Sequence, residues 1–216
     1  MNWHIETLPK PTKKALEYFK DKPWLDKNNW YLAGGTALAM QVGHRVSVDL
    51  DFFTPAKTFL PQEVVREISP GVWESEIIKE GTIYGKVSGA KVSFIAYPFF
   101  LPAESFLFYE KLPVLDKRDI AVMKIIAISQ RGRKRDFLDL FWIAKNSEPL
   151  STILPRLKEQ YPGVAHDYQH ILKSLMYFAD AESDPMPELY FSTTWEEIKS
   201  FFNREVPVLA RKLILD

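Results

Sequence analysis

Two aspartates one residue apart, Asp49 and Asp51, interrupt the otherwise apolar stretch SVDLDFF. In an extended chain, side chains at i and i+2 point to the same face, about 7 Å apart at the backbone. Like charges on one face repel unless something cationic sits between them. Mg²⁺ suits such a pair, because it takes carboxylates together with substrate phosphates. Upstream, Gly34 and Gly35 follow the short apolar run WYLA and precede TALAMQVG. Glycines at a strand-to-helix turn let the backbone approach a ligand closely, and the helix N-terminus behind them presents N–H groups suited to phosphate. Thr36 is placed to cap that helix or to bond a phosphate oxygen. A phosphate cradle beside a metal-holding strand supplies the parts of metal-assisted phosphoryl or nucleotidyl transfer.

Singly, each signal is ordinary: a Gly-Gly pair is usually a turn, and two aspartates on a strand are usually a solvated face. Here Val48, Leu50 and Phe52 occupy the alternate positions, which assigns the strand to a core sheet and favours chemistry over chance. GGTALA is not G-x-G-x-x-G, and no G-K-[ST] occurs, so neither a dinucleotide fold nor a P-loop competes.

The elements that must position these residues are legible from their periodicity. TKKALEYFKDKP reads as an amphipathic helix with Ala15, Leu16 and Phe19 on its apolar stripe, stopped near Pro23. WYLA is a strand, TALAMQVG a helix closed by Gly43, and HRVSVDLDFF a second strand ending at Thr54. LPQEVVREI is a helix between Pro61 and Pro70. VWESEII, TIYGKVS and AKVSFIAYPF form a β-meander. After Pro102 the chain reads as helical, through DIAVMKIIAISQR, RDFLDLFWIAKN, LSTILPRLKEQY, the stretch around HILKSLMYFADA, and TWEEIKSFFNREVPVLARKL. Thr194 and Glu197 make a capping box ahead of the last of these.

Composition sets outer bounds. The 216 residues suffice for one sizeable core, or a core with a smaller helical part, and 28 basic residues balance 28 acidic ones. A nucleic-acid partner would therefore be held by a local patch rather than a global field. The chain has no cysteine, which removes disulfides and thiolate chemistry. No signal-peptide pattern or membrane-length apolar run is present, so a cytoplasmic protein with no membrane partner is expected. The four histidines show no metal-ligand spacing. The basic run RGRKR, residues 131–135, suits phosphates and equally suits a solvated connection between helices.

GGTALAMQVGHRVSVDLDFF, followed later by AVMKIIAISQRGRKRDFLDLFWI, resembles the nucleotidyltransferase family of the AbiEii/AbiGii toxins. That family has a GG-T-A-L turn, an R-x-S-x-D-x-D strand, and a lysine helix leading into R-D-x-x-D-L. The resemblance implies a nucleotidyltransferase-like core of the DNA polymerase β type: an α+β (α/β) fold with a mixed sheet and packed helices, followed by a C-terminal helical region. The expected division is a core over residues 1–115 and a helical region over 116–216. The resemblance also implies Mg²⁺ as cofactor, an NTP as substrate, RNA (tRNA included) or protein as acceptor, and an antitoxin partner. Position by position, Gly34, Gly35 and Thr36 would contact the triphosphate, and Asp49 and Asp51 would hold Mg²⁺. Lys124 matches the lysine and Asp136 the later acid. Arg45 and Ser47 flank the metal strand, Arg45 to pair with a phosphate and Ser47 on the same face as the aspartates.

Lys124 suits a triphosphate as a flexible point charge, yet Val122, Met123, Ile125 and Ile126 around it would also let it snorkel. Asp136 could orient the acceptor or act as a base, or cap its helix, with Asp139 one turn further along. In one respect the chain departs from the family's pattern. The third carboxylate should stand on a neighbouring strand, where AKVSFIAYP carries Ser93; Glu74, Glu76 and Glu104 are the acids nearest in sequence. A catalytically degenerate nucleotide-binding module is the alternative this departure raises.

Overall fold

The computed structural model describes residues 2–215, with side chains through 212, and separates at Asp116/Lys117 into two compact units. In the first, α1 (Lys10–Phe19) and the short α2 (Pro23–Lys27) lead into β1 (Tyr31–Ala33), α3 (Gly34–Val42) and β2 (Leu50–Thr54). Pro23 thus opens a second helix rather than only ending the first, its missing N–H being harmless at that position. Next come α4 (Pro61–Glu67), the meander β3 (Trp73–Lys79), β4 (Thr82–Val87) and β5 (Ala90–Ala96), and a hairpin of β6 (Leu107–Tyr109) and β7 (Leu112–Val114). The seven strands make one mixed sheet in the order β3-β4-β5-β2-β1-β7-β6. β2 runs antiparallel to β1 and parallel to β5, and β7 runs parallel to β1.

The hairpin corrects the expectation of helix after Pro102. Its turn holds Glu110 at φ 54, a left-handed conformation that glutamate does not announce in a sequence. The second strand also starts later than its apolar pattern suggests. β1 gives way to α3 at Gly34, and the register Ala33↔Asp51 uses up its last residue, so nothing on that side pairs with residues before Asp51. Asp49 therefore lies just outside β2, and Val48 is 48% exposed rather than facing the core.

One face of the sheet rests on an aromatic cluster. Phe52 and Phe94 stack at 4.8 Å, with Phe19, Trp24 and Trp30 around them, all buried. Leu50 and Phe52 thereby fix the pleat of β2 and turn Asp51 to the other face.

The second unit is helical: α5 (Lys117–Arg131), α6 (Lys134–Asn146), α7 (Leu150–Ile153), α8 (Leu157–Gln160), α9 (Tyr168–Ser174), α10 (Ala179–Glu182) and α11 (Trp195–Leu215). The single helix expected over LSTILPRLKEQY is divided by a 3₁₀ turn containing Pro155. Phe137, Phe178, Trp195 and Phe202 form its aromatic centre. Among the described residues no helix is long and apolar enough to cross a membrane.

Candidate active site

The first unit gathers Gly34, Gly35, Thr36, Arg45, Ser47, Asp49 and Asp51 where β1 turns into α3 beside the start of β2. Gly34 has φ +72, and a Cβ added there would lie 3.0 Å from Asp51 Oδ2. The bare Cα leaves room on that side of the carboxylate. A Cβ at Gly35 would run into the Arg45 guanidinium, whose Nη2 sits under the first turn of α3. Arg45 is 3% exposed, and its Nη1 donates to the Val46 carbonyl at 2.9 Å. A cation beside a helix N-terminus opposes the helix dipole.

Thr36 does not cap the helix. The N-cap is Ala33, with no side-chain hydrogen bond. The buried Thr36 hydroxyl lies 2.9 Å from Ser47 Oγ and bonds the Asp49 carbonyl, so Thr36 and Ser47 fix the backbone that carries the first aspartate. Asp49 and Asp51 are both half-buried and flank the fully buried Leu50.

Ser93 stands in register with Asp51 on β5, and its hydroxyl donates to Asp51 Oδ1 at 2.6 Å. This is the position at which the family's pattern places its third carboxylate. Glu74 and Glu76 belong to β3, three strands from β2 and so about 14 Å away across the sheet; Glu76 pairs with Lys86 at 2.6 Å. Among the described residues, no three His, Cys, Asp or Glu side chains are grouped to hold a metal ion. Two aspartates nevertheless suit Mg²⁺, which keeps several waters and takes substrate phosphates as its remaining ligands. The room beside Asp51 Oδ2 fits that use. A cavity of about 650 Å³, lined in part by Trp24, Trp30, Phe59 and Thr54, adjoins the other end of the β1–β2 pair.

In the second unit Lys124 does not snorkel. It is 5% exposed, with Nζ 2.7 Å from Asp136 Oδ1 and 2.6 Å from Asp139 Oδ2, both aspartates fully buried. Arg131 Nε lies 3.3 Å from Asp136 Oδ2. Asp136 does not cap α6; that amide bond comes from Asp184, whose Oδ2 accepts from Lys134 N at 3.0 Å. Asp139 completes the pair into a triad, and its spacing from Asp136 on one helix face is the signal that points to it.

The family model for the nucleotidyl transferase AbiEii toxin of type IV toxin–antitoxin systems matches residues 25–212. An uncharacterised protein of Aquifex aeolicus is 37% identical over 189 residues, covering 83% of this chain and 87% of its own length. Two solved structures share the fold. JHP933 from Helicobacter pylori gives a TM-score of 0.54 at 20% identity, covering 94% of this chain and 91% of its own. MenT4, a nucleotidyltransferase toxin of Mycobacterium tuberculosis, gives 0.54 at 15% identity, covering 92% and 86%.

Proposed function

Because the chain belongs to the AbiEii nucleotidyltransferase toxin family, we propose that it transfers a nucleotide from an NTP to an RNA or protein acceptor with Mg²⁺ held by Asp49 and Asp51. The observation that carries this reading is the double glycine turn. It puts the uncapped start of α3 and the Arg45 guanidinium beside the Asp51 carboxylate, which supports a phosphate site and a metal site at one corner of the sheet. Bound there, Mg²⁺ would polarise the α-phosphate and neutralise charge on the leaving pyrophosphate. The amides of α3 and Arg45 would bind triphosphate oxygens, while Thr36 and Ser47 hold Asp49 in place. An acceptor hydroxyl attacks the α-phosphorus, the bond to the β-phosphate oxygen breaks, and pyrophosphate departs with its electron pair; the hydroxyl proton passes to a base. Lys124 and Asp136 are proposed as contributors by their family positions. To meet a phosphate, Lys124 would have to leave two carboxylates, and to take a proton Asp136 would have to be uncovered.

The second reading, a nucleotide-binding module without catalysis, is favoured by one observation: Ser93, a hydrogen-bond donor to Asp51, stands where an acid would act as base. Label transfer separates the two. Purified protein is incubated with Mg²⁺, each α-labelled NTP in turn and total RNA, beside an Asp49→Ala control. Label on RNA or on the protein itself, absent in the control, establishes transfer and names the nucleotide. Mg²⁺-dependent NTP binding that needs Asp49, without label, favours the binding module.

A further inference from the structure

The family model begins at residue 25, yet the segment before it reaches into the candidate site. Residues 44–49 form the connection that brings Arg45, Ser47 and Asp49 to the glycine turn, and apart from an isolated bridge at Arg45 they are in neither helix nor strand. Without ladder partners, their backbone must be fixed by other groups. Two of those groups lie in the N-terminal segment. The Thr7 carbonyl accepts from Ser47 N–H at 3.1 Å, and the Thr12 hydroxyl donates to the Val48 carbonyl at 2.8 Å. His4 N–H donates to the Met40 carbonyl at 2.8 Å, near the end of α3, and the His4 ring fills the space that a Cβ on Gly43 would need. Thr7 and Thr12 are buried, and the Thr7 hydroxyl is turned back to the His4 carbonyl at 2.6 Å, which closes the 3₁₀ turn Ile5–Thr7.

We infer that residues 4–12 form a brace that sets the position of Asp49, with Thr12 as its principal positioning residue. The inference rests on the reading of Asp49 and Asp51 as a metal pair. In this reading Thr12 is a ligand of neither metal nor nucleotide. It holds the carbonyl of the residue immediately before Asp49, and Thr36 holds the carbonyl of Asp49 itself, so two threonines from different elements grip consecutive peptide units. Loss of one grip lets Asp49 sample positions that do not bind.

The test is Mn²⁺ binding, followed by paramagnetic resonance in the absence of nucleotide, on wild type, Asp49→Asn, Thr12→Val, Thr12→Ser and Ile83→Val. Ile83 is buried in β4 and takes no part in the hydrogen bonds of the brace; its truncation serves as the control for a general loss of stability. The expected result is that wild type binds, Asp49→Asn does not, and Thr12→Val binds about fivefold more weakly, the scale of one lost hydrogen bond. Thr12→Ser restores binding, Ile83→Val leaves it unchanged, and hydrogen exchange of the Ser47 amide quickens in Thr12→Val alone. Equal binding by Thr12→Val and wild type, or equal weakening by Ile83→Val, overturns the brace while leaving the metal pair standing. No Asp49-dependent binding in wild type removes the metal pair, and the inference with it.

Discussion

Gly34 and Gly35 are adjacent but constrained differently. At Gly34 both the backbone and the space exclude a side chain, since φ is +72 and Asp51 Oδ2 would be 3.0 Å from the new Cβ. A Gly34→Ala variant is expected to lose about 1–2 kcal/mol of stability and also its metal binding, measured by chemical denaturation and Mn²⁺ titration. At Gly35 the obstacle is the far end of Arg45, so Gly35→Ala should fold and instead displace the guanidinium. NTP affinity is expected to fall by about tenfold, one charge-assisted hydrogen bond's worth, with metal binding retained; loss of both together would mean that Arg45 serves the aspartates rather than the phosphates. Ser93 offers the converse experiment. Ser93→Asp replaces a donor to Asp51 with a like charge in direct register. Melting should therefore occur at lower temperature than in wild type without metal, and Mg²⁺ should raise it more in the variant than in wild type. A variant indifferent to Mg²⁺ would show that this corner of the sheet is not a metal site.

At the scale of elements, what could be read from the sequence was what is local. The glycine turn, α3 closed by Gly43 at φ +66, the meander and the capping box all depend on residues close in sequence, and all appear. The β6–β7 hairpin was missed because Glu110 supplies its left-handed turn. The start of β2 was misplaced because it is set by where β1 stops, a fact about another strand. The capping box also carries a pH dependence. The Thr194 backbone N–H foremost, and then the Thr193 hydroxyl, hold the Glu197 carboxyl below its ordinary value of 4.5. A carboxyl depressed on folding contributes stability above its unfolded pKa, and that contribution is lost as pH falls through the folded value. Glu197→Ala should therefore lower the melting temperature at neutral pH, with the gap from wild type narrowing below about pH 4; a gap of constant size would mean that the carboxylate charge contributes nothing. Lys124 is the larger element-scale term. Removing it leaves Asp136 and Asp139 buried without their shared cation, a change worth about 3–5 kcal/mol. Circular dichroism on Lys124→Met should show that loss, and any failure of this variant in label transfer is to be set against it before Lys124 is credited with chemistry.

Over the whole molecule, charge is balanced, 28 against 28, and the one concentrated basic run is largely occupied within its own unit. Arg133 pairs with Asp184 at 2.6 Å, Lys134 Nζ donates to the Glu182 and Asp184 carbonyls, and Arg131 faces Asp136. In the sequence alone RGRKR stays open between phosphate binding and a connection; the partners of Arg133 and Lys134 come from residues some fifty positions later, beyond any local pattern. A run paired in this way has few cations left to exchange for counterions. A protein that neutralises six to ten phosphates loses about three to five decades of affinity between roughly 50 and 200 mM salt. For this chain, the second-order rate of RNA labelling is expected to fall by less than about tenfold over that range, measured in the same label-transfer assay at limiting RNA. A steep fall would require several phosphate contacts from cations outside the basic run, and would place acceptor recognition on a surface that neither net charge nor the 131–135 stretch reveals. A flat response together with label on RNA would instead assign the selection of acceptor to base and sugar contacts, the means by which unpaired RNA is read sequence-specifically.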